Sequence, residues 1–193
     1  LRTVSKLTAV SKSGPMIIDG FEVECFIDGE LIYDMKTVFG FFPAEALSSQ
    51  KGLPISETQK AQLETPGDTV DLRGRPERYS AGTLRLAEPG LLMIDRVTYA
   101  DPTGGEAGLG RYRAEKDVEP SEWFFKAHFY QDPVQPGSLG LEALVQLLQF
   151  AMIEQGMAGD IAEPRFEPLG MGRELSWKYR GQVRPHNKLI SST

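Results

Sequence analysis

The sequence predicts an α+β fold in which antiparallel strands wrap around one long central helix. Residues 1–43 and 89–118 alternate apolar with polar side chains between turn residues, and this period is typical of antiparallel strands. Residues 139–152 are apolar on nearly every side of a helix, which indicates a helix buried on most of its circumference. A long buried helix among short strands favours a sheet that covers it.

The first part of the chain, residues 1–43, predicts β-structure only. Residues 4–10 have the pattern of one strand. Residues 21–27 and 31–39 are expected to be paired strands, because the Asp28-Gly29 sequence between them strongly favours a two-residue hairpin turn.

The second part, residues 44–88, is polar and contains few large apolar side chains. This composition predicts a linker that crosses a surface. Residues 54–63 are expected to hold a short helix that begins near Ser56 or Thr58.

The third part, residues 89–193, has strand, turn and helix signals in close order. The expected elements are strands at 91–99 and 108–118, a helical turn capped by Ser121, the central helix from Ser138, and strands at 173–179 and 183–190. Serine is a favoured N-cap residue, and the prolines before position 138 discourage an earlier helix start.

A histidine and a glutamate flank the Pro/Gly-rich turn before the central helix. His128 precedes this turn, and Glu142 lies one helical turn after Ser138. Histidine titrates near neutrality and can move a proton at physiological pH, and a glutamate can share that work. Backbone N–H groups of Gly137 and Ser138 would be free at the helix start, where they favour a carbonyl oxygen that gains negative charge. The arrangement predicts proton transfer next to a thioester carbonyl.

The side chains around this pair are mostly apolar or aromatic. They are expected to fill the core or to line an acyl-binding cavity. Gln146 shares a helix face with Glu142 and can form a hydrogen bond with it. The candidate substrate-binding residues are Phe125, Phe129, Val134, Pro136 and Gln146.

Composition excludes several function classes. A net charge of -6 argues against nucleic-acid binding, and no apolar run is long enough to span a bilayer. Cys25 is the single cysteine, which excludes an internal disulfide, and no metal-binding motif is found. We expect a cytoplasmic protein without a metal or nucleotide cofactor and without a membrane partner. An acidic acyl carrier would need a local basic patch such as Arg173, Lys178, Arg180 and Arg184.

The motif over residues 123–142 closely resembles the hot-dog-fold β-hydroxyacyl-ACP dehydratases of the β-hydroxydecanoyl type. It is still more similar to the dehydratase domains of bacterial polyunsaturated fatty acid synthases, which occur in tandem. Residues 91–97 and 181–185 also match, so the resemblance covers residues 89–193 as the first two-thirds of a domain.

The resemblance implies roles for the site residues. His128 corresponds to the motif histidine, and Glu142 to the acid that the partner hot dog supplies from its central helix. The oxyanion role falls on the backbone of Gly137 and Ser138. The β-hydroxydecanoyl enzymes usually have aspartate at the position of Glu142.

Residues 21–42 resemble the last strands of the same kind of domain. We therefore expect a piece of a longer protein: final strands at 1–43, a linker at 44–88, and the first strands and central helix of the next domain at 89–193. As one chain, the two parts would supply a complete set of strands in permuted order, within one molecule or by exchange between two. This assembly would protect apolar sheet edges.

Three functions remain open at this point. The first is dehydration of 3-hydroxyacyl thioesters of acyl carrier protein or CoA to trans-2-enoyl thioesters, in fatty acid or polyunsaturated fatty acid synthesis. The second is an acyl thioesterase that hydrolyses acyl-CoA or acyl-ACP and uses Glu142. The third is a non-catalytic structural or acyl-binding module of a synthase. A homodimer or paired hot-dog domains are expected.

Overall fold

The structure is a computed structural model that describes residues 1–48, 54–169, 172 and 175–193. The chain divides into two compact units, Leu1–Gly52 and Leu53–Thr193. Each unit has its own antiparallel sheet. Arg173 of the predicted basic patch lies outside the described residues.

The N-terminal unit is a meander of long strands. Its elements are β1 (Arg2–Ser13), β2 (Met16–Ile27), β3 (Glu30–Phe41) and the short helix α1 (Ala44–Ser48). The strand order is β1-β2-β3. Asp28 and Gly29 connect β2 to β3 with φ values of 51° and 88°. Positive φ at both central residues is typical of the turn that matches strand twist, so the predicted hairpin is confirmed.

A charged cluster lies on one face of this sheet, and a pair of phenylalanine rings lies on the other. Glu22 lies within 3.7 Å of Lys6 and 3.4 Å of Lys36. On the other face, the rings of Phe21 and Phe39 meet edge to face at 5.8 Å. Many apolar side chains of this sheet are at least half exposed, among them Leu7, Val10, Ile32, Tyr33, Val38 and Phe41. The permuted assembly of these strands with residues 89–193 stays a prediction.

The C-terminal unit combines a four-stranded sheet with one long helix. Its elements are α2 (Glu57–Glu64), β4 (Val70–Asp71), α3 (Glu77–Ser80), β5 (Arg96–Asp101), β6 (Arg111–Asp117), α4 (Trp123–Ala127), α5 (Gly137–Glu154) and β7 (Leu189–Ser192). The strand order is β4-β5-β6-β7, with antiparallel neighbours throughout. The predicted α+β fold class is confirmed. Among the described residues, no helix has the length and apolar character needed to cross a membrane.

The core of this unit lies between α5 and the sheet. Phe150 of α5 and Phe124 of α4 are 1% exposed, and Val97 of β5 and Ala114 of β6 are 0% exposed. Full burial of a large apolar side chain contributes about 1.5–3 kcal/mol, so α5 is held chiefly by its inner face. Its outer face leaves Leu144 and Leu148 exposed, which differs from the expectation of burial nearly all round.

Part of the interval predicted as a linker belongs to this core. Leu72, Tyr79 and Leu86 are 2%, 6% and 2% exposed. The ring of Tyr79 stacks on that of Phe150 at 4.8 Å. These apolar residues are isolated among charged and turn residues, so no periodic pattern marked them as core.

The short helix in the same interval forms as predicted. Ser56 is its N-cap, and the backbone N–H of Gln59 donates to Ser56 Oγ at 3.2 Å. In return, the backbone N–H of Ser56 donates to Gln59 Oε1 at 2.8 Å. This reciprocal pair is a capping box, which satisfies two N–H groups that the helix leaves free.

Four of the strands predicted in this unit are wrong in position or extent. The strand expected at 91–99 is observed at Arg96–Asp101. The strand expected at 108–118 begins at Arg111, because a glycine-rich loop precedes it, with Gly108 and Gly110 at positive φ. Residues 175–179 are not a strand, and the strand expected at 183–190 is limited to Leu189–Ser192. A local turn explains the last difference, since Asn187 N–H donates to Arg184 O at 2.9 Å and Arg184 N–H donates to Asn187 Oδ1 at 2.7 Å.

Candidate active site

His128 is placed by the short helix α4. Phe124 and Phe125 anchor this helix because they are 1% and 5% exposed. His128 is the C-cap residue, and its backbone N–H donates to Phe124 O at 3.0 Å. The expected cap at Ser121 is wrong: Glu122 occupies the N-cap position without a side-chain hydrogen bond. The buried phenylalanines, rather than a cap, fix where the histidine emerges.

The imidazole of His128 has two defined neighbours. Its Nδ1 lies 3.0 Å from the backbone oxygen of Val134, and its ring stacks on Phe129 at 3.9 Å. A carbonyl oxygen only accepts hydrogen bonds, so in the neutral imidazole the proton lies on Nδ1. Nε2 therefore carries the free lone pair, which is the tautomer that a general base requires.

The turn after His128 reverses the chain before α5. Gln131 has a φ of 55°, an uncommon value for a residue with a side chain. Two contacts hold this turn from outside. Gln135 N–H donates to Val183 O at 2.9 Å, and Arg184 Nη1 lies 3.1 Å from Asp132 Oδ1. The position of the histidine thus depends on contacts that are distant in sequence.

Helix α5 begins two residues earlier than a helix capped by Ser138 would. Pro136 is the N-cap and Gly137 the first helical residue, so the predicted N-cap at Ser138 is wrong. Proline at this position has a φ of -54° and offers no side-chain acceptor. Leu139 N–H donates to Pro136 O at 3.0 Å, while Gly137 and Ser138 lie in the first turn, whose N–H groups have no acceptor within a helix. The oxyanion role of these two N–H groups stays a prediction.

Glu142 is oriented by a buried glutamine. Gln146 is 0% exposed, and its Nε2 donates to Glu142 Oε1 at 2.8 Å, so the predicted pairing is confirmed. The same amide donates to Leu91 O at 2.8 Å and accepts from Met93 N–H at 2.7 Å. Because Gln146 has no exposed surface, its direct contacts are with protein groups, and its substrate-binding role stays a prediction. The segment 91–93 that fixes it carried no sequence signal for these contacts.

Glu142 borders a groove of about 520 Å³. Arg85, Gln149, Arg165 and Phe166 also line this groove. A smaller cavity of about 90 Å³ shares Arg165 and Phe166 and is otherwise lined mainly by apolar side chains, including Met152, Met157 and Ile161. None of these lining residues was predicted, since each is a single residue in an irregular or helical segment.

The predicted site residues fall into two groups. His128 contacts Phe129 and Val134, whereas Glu142 contacts Gln146. In the part of the chain that the structure describes, no hydrogen bond or ion pair joins His128 to Glu142. The remaining candidates are Phe125, which packs against Phe124 in the core, and Pro136, which caps α5.

Two of the shifted pKa values mark contacts that stabilise the fold. Burial, together with a hydrogen bond of 2.6 Å to Glu154, raises the pKa of Tyr79 to about 12 and ties α3 to the end of α5. Two hydrogen bonds from Arg96, at 2.8 and 2.9 Å, hold the pKa of the Asp117 carboxyl below its usual range. Over the described residues, no group of His, Cys, Asp or Glu side chains is arranged to hold a metal ion.

Comparison with known proteins identifies the class. Residues 86–192 match the model of the FabA-like domain. This match covers more than half of the chain, so the protein belongs to the FabA-like family of hot-dog-fold dehydratases. The resemblance and the hot-dog fold predicted from the sequence are thereby confirmed.

A curated protein is similar to this chain over the chain's full length. The chain is 33% identical over 207 aligned residues to one of the subunits of the polyunsaturated fatty acid synthase of a Thraustochytrium species. The alignment covers 100% of this chain and 14% of the relative, so the chain spans only a small part of that much longer protein.

Proposed function

We propose that this protein dehydrates 3-hydroxyacyl thioesters, bound to acyl carrier protein or CoA, to trans-2-enoyl thioesters in fatty acid or polyunsaturated fatty acid synthesis. The observation that carries the proposal is the hydrogen bond between His128 Nδ1 and Val134 O at 3.0 Å. It leaves Nε2 as the free nitrogen of a base. The FabA-like match and the likeness to a fatty acid synthase support the same reaction.

In the proposed reaction, His128 Nε2 removes a proton from C2 of the substrate. The electron pair of that C–H bond forms the C2=C3 double bond while the C3–O bond breaks. The hydroxyl leaves as water with a proton from Glu142. Gln146 donates to Oε1 of that carboxyl at 2.8 Å, so Oε2 is the oxygen that carries the proton. One proton is taken and one is given, and transfer between the two residues resets the site.

The negative charge that develops on the thioester oxygen needs hydrogen-bond donors. The N–H groups of Gly137 and Ser138, at the positive end of α5, would stabilise it. Phe125, Phe129, Val134 and Pro136 would form the apolar surroundings of the acyl group, with Phe129 nearest to the imidazole.

Each complete site is proposed to combine residues of two hot-dog domains. The His128 group and the Glu142 group contact different neighbours within one chain. In the proposed arrangement, the His128 of one hot dog faces the Glu142 of another, either in a homodimer or between paired domains. Symmetric dimers then carry two equivalent sites.

A spectrophotometric assay tests the reaction. With a 3-hydroxyacyl thioester, the protein should produce the absorbance of an enoyl thioester, and His128→Ala should abolish this signal. General-base removal typically lowers the rate by roughly 10²–10⁴-fold. Absence of enoyl product from the wild-type protein, or full activity of His128→Ala, would refute the proposal.

One observation favours a second candidate, an acyl thioesterase. Glu142 borders the groove of about 520 Å³, which gives water access to the carboxylate. Thiol release from an acyl thioester measures this activity. If Glu142→Ala abolishes thiol release while His128→Ala leaves it unchanged, the thioesterase replaces the dehydratase.

A further inference from the structure

A segment near the C-terminus crosses the turn that precedes α5. We call residues 179–184 the strap. Besides the bonds that Val183 and Arg184 make with the turn, Tyr179 contacts the first residue of the helix. A Cβ added at Gly137 would lie 2.5, 2.6 and 2.7 Å from the Cε1, Cζ and Cδ1 atoms of the Tyr179 ring. The strap therefore contacts the turn at two places and the first residue of α5 at a third.

The distances at Gly137 describe a close packing of ring on backbone. Three adjacent ring atoms lie at almost equal distance from the position of a Cβ, so the ring occupies the place where a side chain would be. Carbon atoms do not approach within 3.0 Å without displacement of one of them. A side chain at position 137 would therefore have to displace the ring of Tyr179, and glycine lets that ring pack directly on the backbone.

We propose that Tyr179 is a positioning residue for the oxyanion site of the reaction proposed above, on which this inference rests. Its ring fixes Gly137, and through Gly137 the direction of the first two N–H groups of α5. A catalytic constellation must be held to within about 0.5 Å and 10–20°, and loss of one oxyanion donor typically lowers kcat by about 10²–10³-fold. The pairing of Tyr179 with Gly137 supplies this precision across 42 positions of sequence (179 minus 137).

The role belongs to the ring and not to the hydroxyl. Tyr179→Phe keeps the packing surface and is expected to keep kcat within about twofold. Tyr179→Ala loosens Gly137 and is expected to lower kcat by about tenfold with little change in KM, because the donors act mainly on the transition state. Trp177, which is exposed to a similar extent (48% against 54%), provides the matched control: Trp177→Ala should leave kcat unchanged.

A double-mutant cycle on the full chain tests the contact itself by thermal unfolding. Gly137→Ala should lower the unfolding midpoint by several degrees when Tyr179 is present, and by almost nothing in the Tyr179→Ala background, where the added methyl has room. Non-additivity of this kind is the signature of two groups in contact. Equal effects of Gly137→Ala in both backgrounds would overturn the inference.

The two readouts separate this inference from the proposed function. If the wild type dehydrates its substrate and Tyr179→Ala leaves kcat unchanged, the positioning role is refuted and the dehydratase stands. If the wild type forms no enoyl product, the proposed function fails and the positioning role of Tyr179 fails with it. In that case the double-mutant cycle of thermal unfolding, which needs no activity, still shows whether the ring of Tyr179 disfavours a side chain at position 137.

Discussion

Replacing Gln146 by leucine should weaken the fold and the proposed active site at the same time. The two side chains have similar volumes, so the change removes hydrogen bonds rather than packing. Met93 N–H, in a residue that is 3% exposed, would lose its acceptor at 2.7 Å. A buried donor left without a partner costs about 1–3 kcal/mol. Leu91 is 52% exposed, so water can replace the bond to its carbonyl at small cost.

Thermal unfolding measures the loss of stability that Gln146→Leu causes. For a protein of this size, each kcal/mol shifts the midpoint by roughly 2–4 °C, so Gln146→Leu should lower it by roughly 2–12 °C. Trp123 and Trp177 are the two tryptophans of the chain and both lie in the C-terminal unit. Their fluorescence therefore follows the unfolding of the unit that contains Gln146.

A matched variant makes the test decisive. Gln149 lies on the same helix and lines the groove, but its side chain makes no hydrogen bond with any described residue. Gln149→Leu should change the midpoint by less than about 2 °C, as expected for a surface substitution. Equal effects of the two substitutions would refute the account of Gln146. In the dehydration assay, only Gln146→Leu should lower kcat, since only it frees the carboxyl of Glu142.

Three further predictions concern other parts of the molecule. If each site combines residues of two copies, an equal mixture of His128→Ala and Glu142→Gln chains, refolded together, should recover about a quarter of wild-type activity. Half of the dimers are then mixed, and each mixed dimer holds one intact site; no recovery would place both residues in one chain. Since Arg96 lowers the pKa of Asp117, this pair stabilises the fold above the ordinary carboxyl pKa of about 4 and loses its effect as pH falls through the lowered value. Asp117→Asn should flatten the dependence of stability on pH below about pH 4, as measured by urea unfolding. Ser56→Ala removes the cap of α2 and should weaken this helix by about 0.5–2 kcal/mol, which amide hydrogen exchange of residues 57–64 would detect.

Local chemistry explains which parts of the fold were predictable. The long helix α5 followed from an apolar run after Pro136, and the β2–β3 hairpin from Asp28 and Gly29, since each signal lies within a few residues of the element it specifies. The burial of Leu72 depends instead on packing against distant elements. Strand β7 is short because a turn precedes it, and residue propensities do not predict the hydrogen bonds of that turn.

The candidate site divides in the same way. The bond between Glu142 and Gln146 joins residues four apart on one helix, and such pairs follow from helix geometry. The carbonyl of Val134 that orients His128, and the ring of Tyr179 on Gly137, depend on how irregular segments cross. Sequence reasoning therefore found the neighbour that orients Glu142 but not the neighbours that orient His128 and Gly137.

The exposed leucines of α5 have a practical consequence for biophysical work. Leu144 and Leu148 are 44% and 50% exposed, and Val38 and Phe41 of the other unit are 68% and 60% exposed. Fluorescent dyes such as ANS bind exposed apolar surface, and their binding is commonly used as evidence of a molten globule. This chain should bind such a dye while fully folded. For variants of this protein, near-UV circular dichroism is therefore the measurement that distinguishes the native state from a molten one.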